Sequence, residues 1–175
     1  MQYKYLQIMS EFTVTIPMPE FLKDFYLHIS GGTEPIRLRR GSPESALIVT
    51  FIARQPTKTV LEPTDEAAVQ VYIPTTKAKD PRTYNYLPEL AKLAFVDCVR
   101  SMFDYQIWKD LMHFRNFPKK KENLIYAWME QYGIEPTEKN FNAVNKRFLR
   151  LRKTAIEADK ARSQKNQKNS TNPEP

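Results

Sequence analysis

Hydrophobic positions along this chain change period several times, and each change marks an element. Phe12, Val14 and Ile16 alternate with Thr13 and Thr15, the pattern of a half-buried strand that Pro17 ends. After Pro19-Glu20 the spacing becomes helical: Phe21, Leu22, Phe25 and Ile29 share one face, and Gly31-Gly32 stops the run. Alternation returns in Ile36–Arg40, which sets Arg37 and Arg39 together on an outer face. Ser42-Pro43-Glu44 is a helix start, because Ser caps and Pro tolerates the first position. The run that follows, Ala46–Arg54, is rich in β-branched residues that favour a strand. The start signal decides our reading, and we expect a helix there.

Beyond a polar connector at Glu62–Glu66, Val69–Ile73 alternates as a second strand and is closed by Pro74. TVTIP and QVYIP share V-x-I-P, so the two strands are candidates to pair with each other. Thr75–Tyr86 reads as a loop. From Leu87 to Phe114 the period is helical, through Leu90, Leu93, Ala94, Val96, Val99, Phe103, Ile107, Leu111 and Phe114, with Asp104 able to cap a second helix after a bend.

The remaining pattern, Lys119–Lys153, predicts two helices joined by a turn. Leu124, Ile125, Trp128 and Tyr132 line the first, Gly133 ends it, and Thr137 caps the second. On a wheel of about 100° per residue, Phe141, Val144, Phe148, Leu151 and Ala155 fall within about 80°. Lys139, Lys146, Arg150 and Lys153 occupy the opposite arc, with Arg147 at one edge and Asn142 at the other. Arg152 breaks the pattern by falling among the apolar positions, which implies either fraying or a packed stem with an emergent head.

Charge sharpens this picture. The chain has 175 residues and a net charge of +7. From residue 115 onward there are 14 Lys/Arg against 7 Asp/Glu, whereas residues 1–114 carry 13 of each. All the surplus lies in the last third, which points to an anionic partner. Lys119, Lys120 and Lys121 stand at a helix N-terminus, where positive charge opposes the dipole unless an anion binds. Exposed Lys/Arg faces also serve solubility alone, and a membrane surface is disfavoured because the aromatics are needed to dock the two helices.

Enzyme chemistry is not legible. The four glycines form no phosphate loop, and His28, His113 and Cys98 cannot assemble a zinc site without distant carboxylates. Asp97 and Asp104 are seven apart on a helix with no third ligand in view, His113 reads as a packing residue, and Cys98 reads as a buried structural thiol. We therefore expect no catalytic residue, no metal and no cofactor. No apolar run is long enough to span a bilayer and MQYKYLQIMS is unlike a signal peptide, so a cytoplasmic protein is expected.

The helix pair resembles helix-turn-helix modules, whose second helix enters the major groove. The resemblance implies phosphate anchoring by Lys119, Lys120, Lys121, Lys139, Lys146, Arg150 and Lys153, and base reading by Asn142 and Arg147. The turn from Gly133 to Thr137 is longer than that module's usual one. TVTIP followed by two helix starts also resembles ribbon-helix-helix regulators, which would place Thr13 and Thr15 against bases. Arg37, Arg39 and Arg40 are a candidate second contact. YNYLPELA and NLIYAWMEQYGIE look similar to uncharacterised proteins of phages and mobile elements of gut Bacteroidetes, which implies a genomic setting and no residue roles.

The expectation is an α+β fold: a small antiparallel sheet packed by a long helix, with a C-terminal basic helix-turn-helix-like pair. Residues 1–10 would be a leader (Met9 is an alternative start), 11–114 an α+β core domain, 115–160 the basic region and 161–175 a disordered tail. The expected function is non-enzymatic DNA binding, duplex first, as a regulatory or accessory factor of a phage or mobile element. The alternatives are a module that docks an acidic protein as inhibitor or adaptor, or a phage assembly component.

Overall fold

The computed structural model describes residues 12–56, 67–112 and 121–170, without the side chains of Lys121 and of residues 165–170. Over these residues the fold is α+β, in the order β1 (Thr13–Pro17), α1 (Glu20–Ile29), α2 (Pro43–Phe51), β2 (Ala53–Arg54), β3 (Ala68–Tyr72), β4 (Tyr84–Tyr86), α3 (Glu89–Met112), α4 (Lys121–Gln131) and α5 (Glu138–Ser170). Two antiparallel pairs form, β1 with β3 and β2 with β4.

The two V-x-I-P strands do pair with each other. Val14 lies opposite Val71 and Ile16 opposite Val69, so the four apolar side chains enter the core together. Thr15 and Gln70 face outward on the same ribbon, with Thr13 half-buried. The expected third strand, Ile36–Arg39, reduces to one residue. Ile36 donates to the Gln70 carbonyl at 2.8 Å and accepts from the Tyr72 amide at 2.9 Å, forming a parallel bridge. The chain then turns away, with the Ser42 amide reaching the Arg39 carbonyl at 3.0 Å.

Both signals in residues 42–54 act, one after the other. Ser42 accepts the Ser45 amide at 3.2 Å and starts α2, which runs to Phe51 before the chain extends into β2. A distant side chain supports the switch. Lys79 Nζ donates to the carbonyls of Val49, Thr50 and Ile52 at 3.0, 2.8 and 3.0 Å, placing a cation on the helix's negative end.

The long apolar run forms one uninterrupted helix, α3, without a break at Asp104. Its buried residues are Ala91, Phe95, Val99, Phe103, Ile107 and Leu111, with Val96 beside them. A strict four-residue step advances about 40° beyond a full turn. The buried stripe therefore winds around α3, and different stretches of it meet different neighbours. This is why Leu90 and Leu93, expected inside, are 79% and 62% exposed. In α1 the same kind of correction applies: Tyr26 is buried with Leu22 and Phe25, and Ile29 is exposed.

The core is one cluster from Val14 to Phe148, and it includes Ile125, Trp128, Met129, Ile134 and Val144 of the basic region. The expected division into a 11–114 domain and an attached 115–160 region is thus not a division of the core. Residues of α1, α3 and α4 build its aromatic centre. Phe103 meets Phe25 edge-on at 5.2 Å and Trp128 edge-on at 5.3 Å, and Phe25 meets Tyr132 at 5.6 Å.

Gly133 joins this centre to α5. Its φ is +65°, and the Ile134 and Gly133 amides return to the Met129 and Glu130 carbonyls at 2.9 and 3.2 Å, a closed C-terminal cap. A Cβ at Gly133 would lie 3.0 Å from His28 Nδ1. Gly133→Ala is expected to cost roughly 1–2 kcal/mol, from left-handed strain plus displacement of His28. Chemical denaturation checks this, and adding His28→Ala should recover only the contact part. Full recovery would show that the backbone conformation carries no cost.

Candidate nucleic-acid interface

The second basic helix is held by groups the sequence pattern identified and by others it did not. Thr137 caps α5 by accepting the Asn140 amide at 3.2 Å, and the buried Asn140 side chain donates to the Glu135 carbonyl at 3.1 Å. The turn is tied to α1, where Asp24 accepts the Glu135 amide at 3.3 Å. Burial pushes the Asp24 carboxyl above its ordinary value, although the Glu135 amide pulls the other way.

The apolar seam of α5 is as the wheel places it. Val144 and Phe148 are buried, Phe141 stacks on Tyr126 with centroids 4.5 Å apart, and Leu151 packs against the core. α5 thereby touches α1, α3 and α4. Arg152 is half-buried on a continuous helix, so fraying is not the reason for its position.

Opposite the seam, Asn142, Asn145, Lys146, Leu149, Arg150 and Lys153 line one shallow outward strip. At about 1.5 Å per residue, Asn142 to Lys153 covers about 16 Å, comparable with five base pairs of duplex. Lys153 leans toward Glu157 at 3.9 Å, an exposed contact of little strength. The sequence reading missed Asn145 and Leu149, although Asn145 lies three residues after Asn142 and so shares its face.

Other expected contacts lie elsewhere. Arg147 is not on the strip: its guanidinium makes a two-pronged ion pair with Asp104 of α3, with Nε at 2.6 Å from the carboxylate. Its position at the edge of the polar arc brings it against α3, where a carboxylate waits. The same contact gives Asp104 a cation partner, and Asp97 pairs with Arg100. Lys139 is exposed and reaches Glu20 of α1 at 3.4 Å. Arg37 sits over the Tyr72 ring at 4.9 Å, while Arg39 and Arg40 are exposed on the turn before α2. None of the three lines the α5 strip. Lys119, Lys120 and His113 lie outside the described residues, and Lys121 begins α4 with its side chain outside them.

Arg147→Gln is accordingly expected to lower stability by about 1 kcal/mol, since the pair is partly solvated. Its effect on DNA affinity should stay below about threefold, against nearly tenfold for loss of one outward cation. Melting and binding measured on the same variant check this. Unchanged stability with a tenfold binding loss would put Arg147 on the interface.

α5 continues to Ser170, where a disordered tail from residue 161 is expected. The docked half has already met the nucleation cost, and Ala, Lys, Arg and Gln propagate a helix readily. Residues 161–164 are all exposed, so α5 leaves the core and carries Lys160 and Arg162 outward with it.

Among the described residues no group of three or more His, Cys, Asp or Glu could hold a metal ion, and no helix is long and apolar enough to cross a membrane. Cys98 is partly exposed rather than buried, and burial followed by the nearby Glu44 pushes its thiol above the ordinary value, away from the reactive thiolate. Comparison with known families, curated proteins and solved structures found no match to this chain.

Proposed function

We propose that this is a non-enzymatic DNA-binding protein that lays the outward strip of α5 along a duplex. The observation that carries the reading is the strip itself. Lys146, Arg150 and Lys153 stand together with Asn142 and Asn145 on one helix face whose opposite face is fixed in the core. A helix anchored in this way presents its cations with little further ordering cost. Lysine and arginine at this spacing suit successive phosphates, and the two asparagines can pair with adenine edges. The projecting end of α5, with Lys160 and Arg162, would add backbone contacts. A regulatory or accessory role in a phage or mobile element is the setting we propose, on the resemblance of YNYLPELA and NLIYAWMEQYGIE to such proteins.

A salt titration of duplex binding tests this. If about six phosphates are neutralised, log K should fall with log[salt] at a slope of roughly −5. Affinity that is absent at low salt for duplex and single-stranded DNA alike would sink the proposal. Recovery of an acidic protein instead would favour the adaptor alternative.

A further inference from the structure

A second concave site lies away from the α5 strip. The turn from Arg37 to Gly41, the outer side of α2 and the segment after β3 enclose a cavity of about 570 Å³. This is within the range of about 300–1,000 Å³ typical of small-molecule sites. Leu38, Ala46, Val49, Ile73 and Pro74 give it an apolar lining. Arg37, Arg40 and Lys77 supply three cations around it, and no carboxylate is among the described residues that line it.

The elements that frame the cavity are well fixed. Arg37 is held over Tyr72, and Ile36 just before it is bridged to β3. Lys79 ties the segment beyond Lys77 to the end of α2, and Thr76 accepts the Lys79 amide at 3.1 Å. Arg40 and Lys77 make no ion pair with a carboxylate among the described residues. Like charges gathered around a concave apolar surface repel one another, and an anion relieves that repulsion.

We propose that this cavity binds a small amphipathic anion, a carboxylate, sulfonate or phosphate carried on an apolar ring or chain. The apolar lining separates this ligand class from a nucleic-acid backbone. A phosphate backbone would use Arg40 and Lys77 and leave the accessible apolar surface of Leu38, Ala46 and Val49 uncovered. An apolar body would cover those residues, while Arg40 and Lys77 take the anionic end by charge-assisted hydrogen bonds.

The test titrates anilinonaphthalene sulfonate into the full chain and follows the amides of Ala46, Val49 and Ile73 by NMR. Saturable binding with shifts centred on those amides is expected. Phenylnaphthylamine, the same rings without the sulfonate, should bind at least tenfold more weakly, as should the sulfonate to Arg40→Glu/Lys77→Glu. Ala46→Trp fills the cavity with both cations kept and should abolish binding even if the charge-reversal variant fails to fold. Four outcomes would overturn the proposal: no saturation, shifts centred on α5, binding indifferent to Ala46→Trp, or duplex DNA shifting the same three amides.

Discussion

Lys146→Glu/Arg150→Glu/Lys153→Glu is expected to lower affinity for duplex DNA by roughly 10²–10³-fold at about 0.1 M salt. Each phosphate contact is worth a little under one power of ten at that ionic strength, through the counterion it releases. Removing three contacts alone gives roughly 500-fold, in the upper part of the range, and three repulsive carboxylates push the loss toward its top. The salt slope should also flatten by about 3. Fold stability should change by no more than about 1 kcal/mol, because Lys146, Arg150 and Lys153 are solvent-facing and, among the described residues, only Lys153 has an ion partner, itself exposed. Fluorescence anisotropy with a random duplex, paired with a thermal melt, reads both quantities. Unchanged affinity in a protein that melts normally would remove α5 from the interface.

The second large effect concerns the seam that holds α4 to α3. Asp110 accepts from Tyr132 Oη at 2.7 Å, from Trp128 Nε1 at 3.0 Å and from Gln106 Nε2 at 3.1 Å. Gln106 also donates to Tyr132 Oη at 2.6 Å. Asp110→Ala strands the Trp128 donor on α4 and the Tyr132 donor just after it, and is expected to cost roughly 2–3 kcal/mol. Water reaching the half-exposed site keeps the loss from growing larger. The damage should be local at first. Amide hydrogen exchange in α4 should accelerate more than in β1 or α1, and uniform acceleration would show that the seam has no separate role.

The same cluster sets a pH window. Burial raises the Asp110 carboxyl, but the hydrogen bonds from Tyr132, Gln106 and Trp128 outweigh it and hold the carboxyl below its ordinary value. A depressed acid contributes fully above the unfolded value, about 3.9, and loses its contribution as pH falls through the lower folded value. Tyr132 is pushed up to about 12, first by burial and then by Asp110. Its contribution is complete below about pH 10 and disappears as pH rises through the folded value. The seam should therefore be strongest between about pH 4 and 10. Tyr132→Phe should reduce the alkaline decline expected of wild type in denaturation midpoints, leaving the part due to Tyr26, whose hydroxyl burial also pushes up. An identical decline in both proteins would assign it to other groups.

Much of the fold can be read locally. The alternation in TVTIP and QVYIP, the Ser42 and Thr137 caps and the Gly133 stop depend on residues within one turn of one another, and each appears where the pattern puts it. The outward strip was legible for the same reason, because residues three and four apart share a helix face whatever lies around them.

What could not be read depends on contacts between residues far apart in the chain. Lys79 closes α2 from 27 to 30 residues away, and Asp110 gathers α4 from 18 and 22. Arg147 has the composition of a base reader but meets Asp104, 43 residues earlier, so its charge is spent inside the fold. Leu90 and Leu93 repeat at helical spacing and still face solvent, because the stripe on α3 rotates with the neighbours it meets. By itself the sequence determined which residues share a face, where helices start and stop, and where the positive charge gathers. Only the tertiary structure decided which edge of α5 is claimed by the core and which is left to a partner. Periodicity fixes directions around one helix axis, while a direction becomes buried or free only when another segment occupies it.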